Sequence, residues 1–307
     1  MLVTVLLIAG TLFVASTVRD FLQGSRSDSP DGQDPSTVTY ANEDYSPPPV
    51  DSNPPPLPGP RDLEAAGRII TANPVYEQSV PSPTRCEMGT VDMRTASTST
   101  METHLNELMG CLMRVWDQPV TDAGFEMPRP SVTVYDRPIT TACGSLEEVN
   151  ATYCGGDQRV YYAQPLLEAF PEEIANTPYA AEMILGHEFG HAVQARTALL
   201  ISEKALAQQA SSEAKALDLS RRIEVQADCF AGHFINSVAV SQGLDATSIG
   251  KLGRLAYNLG DDILTGESDF SAEHGTGSTR ENWFIQGTES TSISTCNTFI
   301  VSPDEVR

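Results

Sequence analysis

The sequence predicts an α+β fold, mainly helical with a small sheet. Three observations carry this. Met101, Leu105, Leu108, Leu112 and Trp116 recur at helical spacing over 98–116. Helix-compatible sequence runs from Pro171 to about Val240 with few breakers. Only two short β-branched or aromatic runs, Ser131–Val134 and Arg159–Tyr162, read as strands. Ahead of these, DLEAAGRII in 62–80 reads as a helix closed by a turn at Asn73-Pro74. Pro171-Glu172-Glu173 places proline and two acids at a helix start, where fixed φ and the dipole favour them. The Ala-, Gln- and Ser-rich stretch 205–217 reads as an exposed helical arm.

The chain divides into three parts. Residues 2–18 carry no charge and sit at the lower length limit for a membrane span. No basic residue precedes them and Val14-Ala15-Ser16 is a weak cleavage site, so 1–19 reads as an uncleaved anchor rather than a signal peptide. If the segment is cleaved, the protein is secreted. The lack of basic residues before the span suggests a start upstream of Met1. Residues 20–61 read as a disordered, acidic tether. Eight of the fifteen residues in 46–60 are proline, which fixes φ and removes N–H donors. Residues 62–307 are then one folded, extracytoplasmic domain.

The net charge is −22. A deficit of Lys and Arg on this scale excludes a nucleic-acid surface. Residues 20–60 hold seven acids against one Arg, so most of the negative charge lies on the folded part. All six cysteines (86, 111, 143, 154, 229 and 296) follow the tether, and an even count there points to disulfides outside the cytoplasm. Cys143 and Cys154, close in sequence and flanked by Gly144, Gly155 and Gly156, suit a bridged hairpin-like loop. No Cys-x-x-Cys pair supports metal binding by sulfur or redox chemistry.

The chemistry concentrates in His187-Glu188-Phe-Gly-His191, an H-E-x-x-H pattern. On a helix, residues i and i+4 share a face, so both histidines reach one metal ion and Glu188 is placed to act as base. A zinc hydrolase site needs a third protein ligand. Candidates are Glu224, Asp228, Cys229, His233 and His274. Glu224 and Asp228 lie i, i+4 on an otherwise apolar helix face, an expensive placement unless they are paired or bind metal. Glu224 is then the ligand, and Asp228 accepts a hydrogen bond from a ligand histidine. His233 falls on the opposite side and reads as structural; Cys229 reads as a disulfide partner.

GHEFGHAVQ (186–194), IEVQADCFAG (223–232), TACG and YCGGDQRVYY within 141–162, and HGTGSTRENWF (274–284) together resemble the neutral zinc metallopeptidase family. NPVY (73–76), Cys86 and CLMRVWDQPV (111–120) resemble its membrane-anchored variant. The resemblance implies a zincin-type fold, Zn²⁺ held by His187, His191 and Glu224, and Glu188 as base. It also implies the pairs Cys143–Cys154, Cys86–Cys111 and Cys229–Cys296. The expected function is a membrane-tethered, extracytoplasmic zinc peptidase. It would act on peptide or protein substrates by Glu-assisted attack of a zinc-bound water. His274, in a loop with Gly275 and Gly277 after it, is the expected oxyanion partner, with Arg280 as an assistant or a salt-bridge residue. Strand Arg159–Tyr162 is expected to pair with extended substrate. The alternatives are a non-catalytic envelope binding protein with a structural metal site and a zinc amidase acting on cell-wall peptides.

Overall fold

A computed structural model describes residues 38–147, 149–267 and 273–307. The apolar run 2–18 and tether residues 20–37 lie outside the described residues. Among the described residues, no helix is long and apolar enough to cross a membrane.

The helices are α1 (Leu63–Thr71), α2 (Thr98–Asp122), α3 (Glu172–Ala175), α4 (Ala180–Arg196), α5 (Leu199–Gln208), α6 (Glu213–Gln242), α7 (Ala246–Asn258), α8 (Asp261–Thr265) and α9 (Gly277–Thr288). The strands are β1 (Val132–Tyr135), β2 (Ile139–Thr141), β3 (Gly144–Leu146), β4 (Ala151–Cys154) and β5 (Arg159–Ala163). The architecture is mainly helical with a small sheet. Ser97 caps α2 by accepting from Thr100 N–H, and the helix buries the full apolar stripe Met101, Leu105, Leu108, Leu112 and Trp116. It runs past the expected end at 116 to Asp122 and carries Pro119 in its last turn.

The expected helical stretch 171–240 is broken. Tyr179 and Ala198 adopt left-handed φ of 68° and 63° ahead of α4 and α5. The arm read over 205–217 is not one helix: α5 stops at Gln208, and α6 restarts after Ser212, whose side chain accepts from Lys215 N–H.

The three-stranded sheet has the order β1-β5-β4, with β1 and β5 parallel (Val132↔Val160) and β4 and β5 antiparallel (Tyr153↔Val160). Strand β5, expected to receive substrate, is therefore central and paired on both sides. The outer strands are β1 and β4, and the signal of β4 in Ala-Thr-Tyr-Cys is short and followed by Gly155-Gly156. Strands β2 and β3 form a separate hairpin. Disulfides join Cys86–Cys111, Cys143–Cys154 and Cys229–Cys296. The second ties the β2–β3 turn to the end of β4.

The proline-rich segment is not a free tether over its second half. The compact unit begins at Tyr40, not at residue 62. Tyr40 is buried, Tyr45 Oη donates to Asp117 (2.7 Å), and Asp51 N–H donates to Arg129 O (3.1 Å). The segment 46–60 contains neither helix nor strand, as its prolines dictate. Stiff prolines lose little entropy on docking, and their carbonyls remain free to accept hydrogen bonds.

Helices α6 and α9 touch backbone to backbone. A Cβ built on Gly232 would meet Phe284 O at 2.2 Å, and one on Gly287 would meet Cys229 O at 2.1 Å, so only glycine fits either position. Beneath this contact lies His233, fully buried. Its Nδ1 donates to Gly287 O (3.0 Å) and Ser290 O (2.9 Å), a structural role. Burial lowers its pKa from 6.5 to about 4, against those backbone hydrogen bonds, which raise it. The unfolded chain therefore takes up this proton near pH 6.5 while the folded chain resists until about pH 4. The stability this group contributes is complete above pH 6.5 and is lost as pH falls through that window. The expected loss is about 3 kcal/mol. Urea denaturation at stepped pH checks it; a His233→Gln protein should lack this component of the pH slope.

Candidate metal centre

Helix α4 is buried on all sides, so its polar residues face other protein groups rather than bulk water. Its close crossing with α6 rests on small residues from both helices. A Cβ on Gly190 would stand 3.2 Å from Ala227 Cα, and one on Gly186 would stand 3.5 Å from the Ala231 Cβ. This approach sets His187 and His191 of α4 against Glu224 of α6. His187 Nε2 lies 3.4 Å, and His191 Nε2 3.5 Å, from the same oxygen, Glu224 Oε2.

Each histidine is oriented through its other nitrogen. His187 Nδ1 donates to Asp228 Oδ1 (2.8 Å), and His191 Nδ1 donates to Gln194 Oε1 (2.8 Å). Gln194 is itself fixed by donating from Nε2 to Ile223 O (2.7 Å). Both Nε2 atoms thus face Glu224. Asp228, fully buried, also receives Arg280 of α9: Nε to Oδ2 and Nη2 to Oδ1, both 2.8 Å. Arg280 Nη1 donates to Leu259 O (2.9 Å). Arg280 is therefore the clamp on Asp228, not a group free to meet substrate.

The electrostatics follow from this geometry. Burial raises the Asp228 carboxyl, but Arg280 and His187 outweigh it and hold it below the usual carboxylate range. Burial also raises Glu224, and His191 and His187 hold it well below that range. For His187 burial lowers the pKa, yet Asp228 and Glu224 lift the metal-free imidazole to about 10. A cation entering the cluster therefore replaces a proton on His187.

Glu188, also buried, points elsewhere. Its Oε2 accepts from Tyr153 N–H at 2.7 Å. Tyr153 pairs with Val160, whose own N–H is committed to Ser131 O on the β1 side. This is the pair that exchanges no hydrogen bonds between β4 and β5, so Tyr153 N–H faces the outer edge. Glu188 thus lies between the cluster and the outer edge of β4.

The remaining candidates fall outside the cluster. Cys229 is bonded to Cys296. His274 is half exposed; its N–H donates to Asp261 Oδ2 (2.9 Å) and its Nδ1 lies 3.2 Å from Asp261 Oδ1. The Asp261 hydrogen bond raises its pKa against burial, and the Glu224 charge adds to the rise. His274 therefore faces the cluster's field without joining it. Sequence reasoning missed Gln194 and Tyr153, whose roles appear only when α4 meets α6 and β4.

The donor set, two imidazole nitrogens and one carboxylate oxygen, is that of a catalytic zinc site. Ligand atoms about 2.1 Å from a tetrahedral ion stand roughly 3.4 Å apart, which matches the 3.4 and 3.5 Å found here. The residues fit zinc.

A family model described as "Putative neutral zinc metallopeptidase" matches residues 76–299. The chain belongs to this family. Among similar proteins, the uncharacterized protein YpfJ of Escherichia coli (strain K12) is 30% identical over 191 residues, covering 60% of this chain and 66% of that protein. Rv2575 of Mycobacterium tuberculosis (strain ATCC 25618 / H37Rv) and Mb2605 of Mycobacterium bovis are each 27% identical over 189 residues, covering 56% of this chain and 62% of theirs. Both are also uncharacterized proteins. The chain thus spans just under two thirds of the length of these relatives. No solved structure matches it. Membership implies zinc and, at that level, a zinc-dependent peptidase.

Proposed function

We propose that the chain is a zincin-type zinc peptidase, held outside the cytoplasm by its N-terminal segment, with His187, His191 and Glu224 as ligands and Glu188 as general base. One observation carries the reading: a three-ligand cluster with zinc spacing stands beside a carboxylate that is not a ligand and faces the outer edge of β4. A purely structural site has no use for that carboxylate. The apolar run 2–18 and three disulfides support a location outside the cytoplasm.

Zinc, when bound, supplies Lewis acidity toward a water and toward the scissile carbonyl. The chain's own residues do the rest. Asp228 and Gln194 fix the Nδ1 hydrogens so that both Nε2 atoms stay available. Glu188 takes the proton of the attacking water and returns it to the leaving amine. Tyr153 N–H holds Glu188 in place before substrate arrives; an extended substrate lying along β4 then adds to the sheet as a further strand. His274, hydrogen-bonded to Asp261, is the proposed oxyanion partner.

Metal removal tests this directly. Dialysis against a chelator is expected to abolish peptide cleavage, and one equivalent of Zn²⁺ to restore it, with products identified by mass from a peptide library. A chelated, demonstrably zinc-free protein that still cleaves would sink the reading.

A further inference from the structure

Resting on that peptidase reading, we propose that the proline-rich strap closes one end of the substrate groove, so that the protein removes short segments from peptide amino termini. On that reading, two elements flank the substrate path. On α4, Glu188, Ala192 and Arg196 follow at intervals of four residues and share one face. On the sheet side, β4 runs from Tyr153, which contacts Glu188, into the turn holding Gly155 and Gln158. Arg196 Nη1 lies 3.3 Å from Gln158 Oε1, so the two walls advance together.

The strap crosses both walls at their far end. Pro55 O accepts from Arg196 Nη1 and from Gln158 Nε2, each at 2.9 Å. Leu57 packs its Cδ1 against Gly155, 3.6 Å from where a Cβ would stand. Arg196 is buried and also donates from Nε to Glu126 O (2.8 Å). The strap is anchored upstream as well: Arg129 O accepts from Asp51 N–H (3.1 Å), and Arg129 Nη1 donates to Pro48 O (3.3 Å). Between Pro54, Tyr153, Ala192 and Arg196 the remaining space is about 10 Å³, too little for a peptide residue.

The closure sets a length. On the sheet side, Gly155, against which Leu57 of the strap packs, lies two residues past Tyr153, the residue that contacts Glu188. An extended chain rises about 3.3 Å per residue, so about two residues fit before the strap. It also sets a direction. Antiparallel pairing, the more stable kind, places the substrate's amino terminus at the Gly155 end of β4. About two residues therefore precede the scissile bond.

The test uses the full, zinc-loaded chain and one peptide sequence extended stepwise at its amino terminus, with cut positions read by mass spectrometry. Cuts are expected within the first three residues and should move with the amino terminus as it is extended. Cuts leaving more than four residues upstream should be about 100-fold slower or more, the scale of a misplaced reacting bond. Replacing 46–60 by a Gly/Ser segment of equal length should open the groove and release internal cutting. Should that variant fail to fold, the extension series on the unaltered protein still decides. Internal cuts at comparable rate, or cuts that track the carboxyl terminus, overturn the strap inference alone. No cleavage of any peptide with zinc bound overturns the peptidase reading, and this inference with it.

Discussion

The Glu188→Gln protein is expected to keep its zinc and to lose peptide hydrolysis by about 10²–10⁴-fold, the usual worth of a positioned general base. The substitution is nearly isosteric. The amide oxygen can still accept from Tyr153 N–H, so the 2.7 Å contact that holds the side chain survives. The ligand atoms belong to His187, His191 and Glu224 and are untouched, so metal stoichiometry should stay at one. What disappears is the ability to take a proton, because an amide is not a base near neutral pH. Steady-state kinetics should show the loss in kcat with KM little changed, since ground-state contacts are preserved. Metal analysis on the same sample separates this from trivial loss of the ion. Parent-like hydrolysis would remove Glu188 from the mechanism.

The parts of this site that were legible in the sequence are those encoded locally. The i, i+4 spacing on one helix places His187 against His191, and the same spacing on another places Glu224 near Asp228. Neither needs tertiary information. Asp228 was readable as a partner of a ligand histidine because an acid on an apolar helix face must be paired. Arg280 was not readable as the clamp on Asp228, because the two are 52 residues apart and meet only when α9 packs on α6 through Gly232 and Gly287. Gln194 lay within the motif, but its role depends on Ile223 O of a different helix. The edge strand was misassigned for a related reason. Arg159–Tyr162 carries the stronger β signal, as suits a strand paired on both sides, whereas the proposed substrate edge, β4, is short and followed by Gly155-Gly156. Proline density correctly forbade helix and strand over 46–60. It carried no information on docking, which is done by backbone carbonyls such as Pro55 O that every residue possesses.

Asp228→Asn should show how far the clamp on the histidine matters. Asp228 receives three hydrogen bonds, one from His187 Nδ1 and two from Arg280, with both carboxylate oxygens engaged. An asparagine offers one acceptor oxygen and must turn its NH₂ toward a donor, either the imidazole or the guanidinium. If the oxygen takes the Oδ1 place, His187 Nδ1 and Arg280 Nη2 keep their acceptor but Arg280 Nε faces an NH₂ group with its charge uncompensated; if it takes the Oδ2 place, His187 Nδ1 and Arg280 Nη2 both face the NH₂ group and His187 loses its orientation. Either arrangement is costly, because removing one partner of a buried ion pair typically destabilises by about 3–5 kcal/mol. Zinc affinity is expected to fall about 10–100-fold, the usual effect of losing a ligand histidine's partner. Chelator competition measures the affinity, and urea denaturation of the metal-free proteins measures the stability. Adding Arg280→Gln to Asp228→Asn should recover part of the stability, since the unpaired charge is then gone, but not the zinc affinity, since His187 Nδ1 still lacks its carboxylate. That split separates a positioning role from a merely structural one. Parent-like zinc affinity in Asp228→Asn would show that the histidine is held by the packing of α4 alone.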